Sequence, residues 1–263
     1  MSEVVAIAEH AGAGIMNIYC QANTQIRQKS DQSPITLADS TSNQIIEEGL
    51  RRLKLNWPII SEESAIPVYQ ERKSWEYFWL VDPLDGTKEF IKKNGEFTVN
   101  IALIRHGQPI LGVVFAPAID QCYFGAEGQG AFLKTKGQTT LIQSKKEFSG
   151  SPRLVISRSH IDSSTESLIL QTNNPEIISL GSSLKICVVA AGNADCYPRL
   201  APTMEWDTAA AHAISNEAGC ILCDMNGNAL TYNKESIRNP NFMTIPLSSK
   251  SNWLSIWNSI AIT

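Results

Sequence analysis

Residues 77–87 read YFWLVDPLDGT: Tyr77, Phe78, Trp79, Leu80 and Val81, then Asp82, Pro83, Leu84, Asp85, Gly86 and Thr87. The aromatic and branched run predicts a buried strand, and Pro83 with Gly86 predicts a turn directly after it. Asp82 and Asp85 then share one short loop. Such a pair repels unless positive charge lies between its members, and hard divalent cations select oxygen ligands of this kind. Asp and Gly are also ordinary turn residues, so the stretch by itself reads as a loop as well as a site. Lys88, Glu89, Phe90 and Ile91 continue as a first helical turn. Exposed amides at a helix start suit phosphate, although Thr87 at that position also reads as a simple cap.

The 263 residues suffice for one large domain or two modest ones. With 22 Lys and Arg against 26 Asp and Glu, a net charge of −4 and no basic tract, duplex nucleic acid is not an expected partner. Glu3 and Glu9 stand where a basic leader would be, and no run reaches the roughly 18 apolar residues of a spanning helix. The expectation is a cytoplasmic protein, with a peripheral contact to the cytoplasmic face of the inner membrane left open. Oligomeric state is not legible. The six cysteines, at 20, 122, 187, 196, 220 and 223, lie mostly in apolar segments, as reduced buried thiols do. Cys220 and Cys223 form a CxxC, but a zinc site needs two further ligands nearby, so they read as structural.

Outward from the 77–87 stretch, residues 3–22 and 40–54 carry apolar side chains at helical spacing. Residues 57–60 read as a strand ending at Ser61, Glu62, Glu63 and Ser64. Residues 97–104 and 110–115 form a hairpin signal around His106, Gly107, Gln108 and Pro109, and short strands follow at 121–124 and 131–134. The polar stretch 135–152 is the candidate boundary, dividing an N-terminal α+β half (1–148) from a C-terminal half (149–263). That second half alternates in α/β fashion: strand 153–157, helix 161–171, strand 176–180, helix 183–191, strand 194–197, helix 207–218 and strand 220–223.

Further acids can join Asp82 and Asp85. Glu62 ends the strand beside theirs, Asp39 opens the helix at 40–54, and Asp207 opens the helix at 207–218. Acids at helix starts are common as caps, so neither of the last two stands alone. Together, acids closing two strands and two helix starts around a phosphate-ready turn are what a multi-cation phosphatase requires. The motifs PITLAD (34–39), SEES (61–64), WLVDPLDGTKEF (79–90), SRSH (157–160), GSSLKICVVAAGNADCYPR (181–199) and WDTAAAHAI (206–214) run through nearly the whole chain. In this order and spacing they resemble the inositol monophosphatase superfamily, and within it the bisphosphate nucleotidases.

The resemblance implies a layered αβαβα sandwich of mixed α+β and α/β character. It implies Glu62, Asp82, Asp85, Asp207 and the Leu84 carbonyl as ligands of two or three Mg2+ ions. Asp39 and Thr87, with Glu62, are the implied catalytic residues, the first two orienting and deprotonating a water that attacks in line without a phosphoenzyme. Leu84, Asp85, Gly86 and Thr87 are implied to hold the scissile phosphate, together with Glu62 and Asp207. Lys88 and Glu89 after DGT match the nucleotidase pattern, and Ser157 and His160 are implied to lie near a nucleotide. Gly181, Ser182, Ser183 and Lys185 form a strand-to-helix turn suited to a second phosphate or to plain capping, with Arg199 a weaker candidate. His10, His106 and His212 read as structural. The implied substrate is adenosine 3',5'-bisphosphate, cut to AMP and phosphate, with 3'-phosphoadenylyl sulfate fitting likewise; the implied setting is sulfur metabolism, with lithium inhibition. The alternative is inositol monophosphatase or fructose-1,6-bisphosphatase activity. Aspartyl-phosphate phosphatases carry a similar DxDGT, but their two Asp are two residues apart and these are three apart.

Overall fold

The computed structural model describes residues 1–21, 26–28, 34–145, 151–158, 163–172 and 174–259, with backbone alone for 26–28, 34–36, 163 and 164. Helix α1 (Ser2–Tyr19) precedes the antiparallel pair β1 (Ile26–Gln28) and β2 (Pro34–Thr36) and helix α2 (Leu37–Arg52). Strands β3 (Ile59–Ser61), β4 (Tyr77–Asp85), β5 (Thr98–Arg105), β6 (Gln108–Ala116), β7 (Gln121–Ala126), β8 (Gly130–Thr135) and β9 (Gln138–Ile142) lie side by side in chain order in one sheet. Short helices α3 (Tyr69–Arg72) and α4 (Thr87–Ile91) occupy its connections. The first two strands pair in parallel and the rest antiparallel. Thereafter come β10 (Arg153–Ser157), α5 (Ser163–Gln171), β11 (Glu176–Leu180), α6 (Leu184–Ala190), β12 (Tyr197–Arg199), α7 (Glu205–Glu217), β13 (Cys220–Asp224), β14 (Phe242–Pro246) and α8 (Lys250–Asn258). Strands β10 and β11 pair in parallel, and β14 runs antiparallel between β12 and β13.

Side chains alternate across a strand, and along β4 that alternation separates two cores. Trp79 and Val81 pack on one face with Ile15 of α1 and Ile46 and Leu50 of α2. Phe78 and Leu80 pack on the other with Leu184 of α6 and Trp206, Ala210 and Ile214 of α7. Full burial of each such large apolar side chain contributes about 1.5–3 kcal/mol relative to exposure. A third core, with Leu154, Leu168, Met243, Ile245, Trp253 and Trp257, lies between the C-terminal strands and helices α5 and α8. The layers therefore run α, β, α, β, α. Helix α7 lies directly on the large sheet: a methyl at Gly112 of β6 would overlap the Ala210 carbonyl, so only glycine admits the helix at this depth.

Several boundaries differ from those expected. Strand β4 does not stop at Val81 but continues to Asp85. Helix α2 starts at Leu37 and α7 at Glu205, so Asp39 and Asp207 each sit in a first turn rather than ahead of one. The strand expected at 194–197 is β12 at 197–199, and β9 occupies part of the polar stretch taken as a boundary. The division at 148 falls outside the described residues, and the core between the large sheet and α7 takes Phe78 and Ala102 together with Val155 and Leu222. The 98–116 hairpin turns on two residues, His106 and Gly107, at φ +48° and +74°; both positive angles match the right-handed twist of the strands. Cys220 faces the α7 core and Cys223 the third core, on opposite sides of β13, so the CxxC does not converge on one site. Among the described residues no helix is long and apolar enough to cross a membrane.

Candidate metal and phosphate site

Parallel pairing sets β3 and β4 in step, with Ser61 opposite Val81, and the Glu62 N–H donates to the Val81 carbonyl at 3.2 Å. Glu62 therefore stands beside Asp82. In a regular strand, residues three apart point to opposite faces. Here Asp82 pairs with Asn100 and Asp85 with Thr98, so two residues of β4 oppose one of β5. This bulge returns Asp85 to the face of Asp82. Pro83 has no N–H to lose from the ladder. Its carbonyl accepts from the buried Ser42 hydroxyl at 2.7 Å, and the Leu84 N–H donates to Asp82 Oδ1 at 3.0 Å. Gly86 follows at φ +89°, a conformation open to glycine, and α4 begins at Thr87.

Asp207 arrives from the opposite side on α7, where its carboxylate accepts the Met204 N–H at 2.8 Å. Oxygens of Glu62, Asp82 and Asp207 lie within 4.8 Å of one another. Burial raises the Asp82 pKa well above the ordinary carboxylate range, and the charges of Glu62, Asp85 and Asp207 raise it further. Asp207 is pushed up to about 8 by burial first and Asp85 second. Asp85 is raised by burial against the opposing pull of Lys185 and Ser183. The charged form of this cluster thus lacks compensation from the protein. An all-oxygen, undercompensated set of this kind fits a hard divalent cation.

The cluster lies in a cleft of about 440 Å3 that is also lined by Leu84, Gly86, Thr87, Lys88, Ser157, Ser182, Ser183, Lys185 and Arg199. Asp39 is not on its wall; at 2% exposure it lies beneath, reached through Thr87, whose hydroxyl is 3.4 Å from Asp39 Oδ1 and 3.5 Å from the Leu84 carbonyl. Lys88 is an exposed residue of the cleft wall. His160 lies outside the described residues. Buried Ser183 is 2.8 Å from both Asp85 Oδ2 and the Asp207 carbonyl and accepts from Asn100 Nδ2 at 2.8 Å. Its one proton serves one acceptor at a time, so its hydroxyl braces the acids instead of capping α6. Lys185 is buried, its pKa lowered to about 8 by desolvation against the pull of Asp85, and its ammonium donates to the Ser182 carbonyl. His212 is buried against the Tyr232 hydroxyl at 2.8 Å and away from the cleft.

Three supporting residues were absent from the sequence reading. Asn100 was a polar residue within an apolar run, which was a usable signal. Asn239 Nδ2 lies 3.2 Å from the Thr203 hydroxyl, 2.7 Å from the Met204 carbonyl and 3.0 Å from the Thr208 hydroxyl, and its two protons tie down both sides of Asp207. Glu205, fully buried, accepts the Asn233 and Lys234 N–H groups at 2.7 and 3.0 Å. Nothing local in the sequence marks these long-range contacts.

The sequence profile of the inositol monophosphatase family matches residues 1–253. Over 244 residues the chain is 46% identical to the 3'(2'),5'-bisphosphate nucleotidase CysQ of Salmonella typhimurium, covering 92% of this chain and 98% of that one. It is similar to the crystal structure of CysQ from Bacteroides thetaiotaomicron, with a TM-score of 0.84, 39% identity, and 94% and 96% of the two chains covered. An IMPase of Thermotoga maritima shares the fold at a TM-score of 0.80 and 23% identity, with 97% and 95% covered.

Proposed function

The chain belongs to the inositol monophosphatase family, and from that premise we propose that it is a metal-dependent 3'(2'),5'-bisphosphate nucleotidase, releasing the 3'-phosphate of adenosine 3',5'-bisphosphate to give AMP and phosphate. The observation that carries this reading is one cleft whose wall joins the acids Glu62, Asp82, Asp85 and Asp207 to the cations Lys88, Lys185 and Arg199. A substrate with two phosphates meets a metal-ligating set for one and positive charge for the other. The sulfated form, 3'-phosphoadenylyl sulfate, presents the same groups and is expected to be cut likewise, which suits recycling within sulfur metabolism.

Two or three Mg2+ ions held by Glu62, Asp82, Asp85, Asp207 and the Leu84 carbonyl would lower the pKa of a water, screen the phosphate and stabilise the leaving oxygen. Thr87 directs its own proton to Asp39, which leaves its lone pairs to accept from the attacking water. The water's proton passes to Thr87 as the Thr87 proton passes to Asp39, while the oxygen bonds to phosphorus, the bond to the 3'-oxygen breaks, and that oxygen takes up a proton from water to become the 3'-hydroxyl of AMP. Since the Leu84 N–H is held by Asp82, the scissile phosphate takes its amide donors from Gly86 onward at the start of α4. Lys185 and Ser182 receive the second phosphate, with Ser157 on the nucleoside side. Li+, a small cation competing for a Mg2+ position, is expected to inhibit. Phosphate release from adenosine 3',5'-bisphosphate and inositol 1-phosphate, side by side, tests the assignment; a strong preference for the inositol ester overturns it.

A further inference from the structure

Glu96 lies between α4 and β5, and neither it nor Arg158 is among the described residues that line the cleft. Its carboxylate joins three segments far apart in the chain. Oε2 accepts the Gly181 N–H at 2.8 Å and Arg158 Nε at 2.8 Å, and Oε1 accepts an Arg158 terminal nitrogen at 2.7 Å. That same nitrogen donates to the Ser179 carbonyl at 2.7 Å, and the Arg158 N–H donates to the Leu180 carbonyl at 3.2 Å. The arginine of the SRSH motif is therefore turned toward Glu96 and the end of β11, with its fork engaged in the bidentate geometry that carboxylates favour.

The turn so held is a demanding one. A methyl at Gly181 would stand 2.7 Å from both the Glu96 carbonyl and Glu89 Cγ. Ser182 has φ +48°, a left-handed conformation uncommon for a residue with a Cβ. The Ser182 carbonyl in turn receives the Lys185 ammonium. The position of Lys185, a buried cation of the cleft wall, thus depends, through Ser182 and Gly181, on Glu96.

We propose that Glu96 is a positioning residue for the second-phosphate half of the cleft, with Arg158 as its counter-ion and not as a phosphate ligand. This rests on the bisphosphate reading above. It predicts that the clamp acts more strongly on the bisphosphate than on a monoester, which meets the turn only where Ser183 braces Asp85 and Asp207. The test compares KM and kcat for adenosine 3',5'-bisphosphate and for p-nitrophenyl phosphate at saturating Mg2+, in the wild type, E96A, E96Q and R158A, with thermal unfolding of each.

The expected result is a rise in KM for the bisphosphate of about tenfold in E96A, the loss of a charge-assisted hydrogen bond's worth of binding. E96Q, which keeps an acceptor for the Gly181 N–H, recovers part of it, and R158A falls between wild type and E96A. The kcat for the bisphosphate stays at the wild-type value, and kcat/KM for the monoester falls by less than the bisphosphate KM rises. Equal losses on both substrates overturn the proposal, because they make Glu96 a support of the whole fold. So does an unchanged KM in E96A where the wild type prefers the bisphosphate. A wild type without that preference overturns the functional reading and the proposal together.

Discussion

The Thr87 hydroxyl donates to Asp39 Oδ1 across 3.4 Å, joining the start of α4 to the first turn of α2. Asp39 is nearly inaccessible beneath Thr87, so it meets the attacking water through that hydroxyl. Replacing Thr87 with Ala is expected to lower kcat by about 10^2–10^4, the range for lost general-base catalysis, while T87S restores most of it. Steady-state kinetics at saturating Mg2+ provides the check. A T87A enzyme altered in KM alone would reduce Thr87 to a binding group.

Clustered carboxylates cost stability where they supply function. D82N and D207N each remove one buried carboxyl that must either take up a proton on folding or bear an uncompensated charge, while keeping an oxygen for the Leu84 or Met204 N–H. Both are expected to abolish Mg2+-dependent phosphate release and to raise the metal-free Tm by about 2–4 °C, the equivalent of roughly 1 kcal/mol at this chain length. Differential scanning calorimetry in EDTA measures it; a lowered Tm contradicts the electrostatic account.

The same cluster sets a pH dependence. Asp207, ordinarily near 3.8, holds its proton up to about 8 in the folded metal-free protein, and Asp82 and Asp85 shift in the same direction. For groups raised in this way, the stability they contribute is complete below the unfolded value near 3.8 and is lost as pH rises through about 8. Mg2+ binds the deprotonated form. The increase in Tm on adding saturating Mg2+ is therefore expected to be larger at pH 8 than at pH 5, and D207N should flatten that difference.

Glu205 anchors the start of α7, two residues before Asp207. Besides two backbone N–H groups it accepts the Lys234 ammonium at 2.6 Å, and the same loop is gripped from the other side by buried Arg72 through the Lys234 and Glu235 carbonyls at 2.7 and 2.9 Å. E205A leaves the Asn233 and Lys234 N–H groups and the half-buried Lys234 ammonium without their acceptor and should destabilise by about 1–3 kcal/mol, the cost of leaving such donors unsatisfied. Urea unfolding with an unchanged m-value reads the loss directly.

The sequence disclosed most of the molecule where the signal was local. Residues 77–81 alternate between two cores as a strand must, and the HG turn at 106–107 announced its hairpin. The motifs around Asp82, Glu62 and Asp207 placed acids at element ends that the structure brings together. What stayed hidden depends on partners distant in the chain. A bulge cannot be seen in DPLDGT without knowing that Asn100 and Thr98 lie opposite, so the stretch read as a turn after the strand. Strand β14 and helix α8 were not anticipated beyond residue 223, and β14 is the strand that β12 and β13 share. Glu96 and Asn239 are ordinary loop residues until the fold supplies what they hold. Arg158, read within a nucleotide-side motif, proved to face Glu96.

The most direct test of the central claim is phosphate release from adenosine 3',5'-bisphosphate and from inositol 1-phosphate, each with Mg2+ and with EDTA, by the same preparation of the intact protein. The account predicts Mg2+-dependent release from the bisphosphate with AMP as the nucleoside product, at a kcat/KM well above that for the inositol ester. Release that persists in EDTA, or a preference for inositol 1-phosphate, would contradict it.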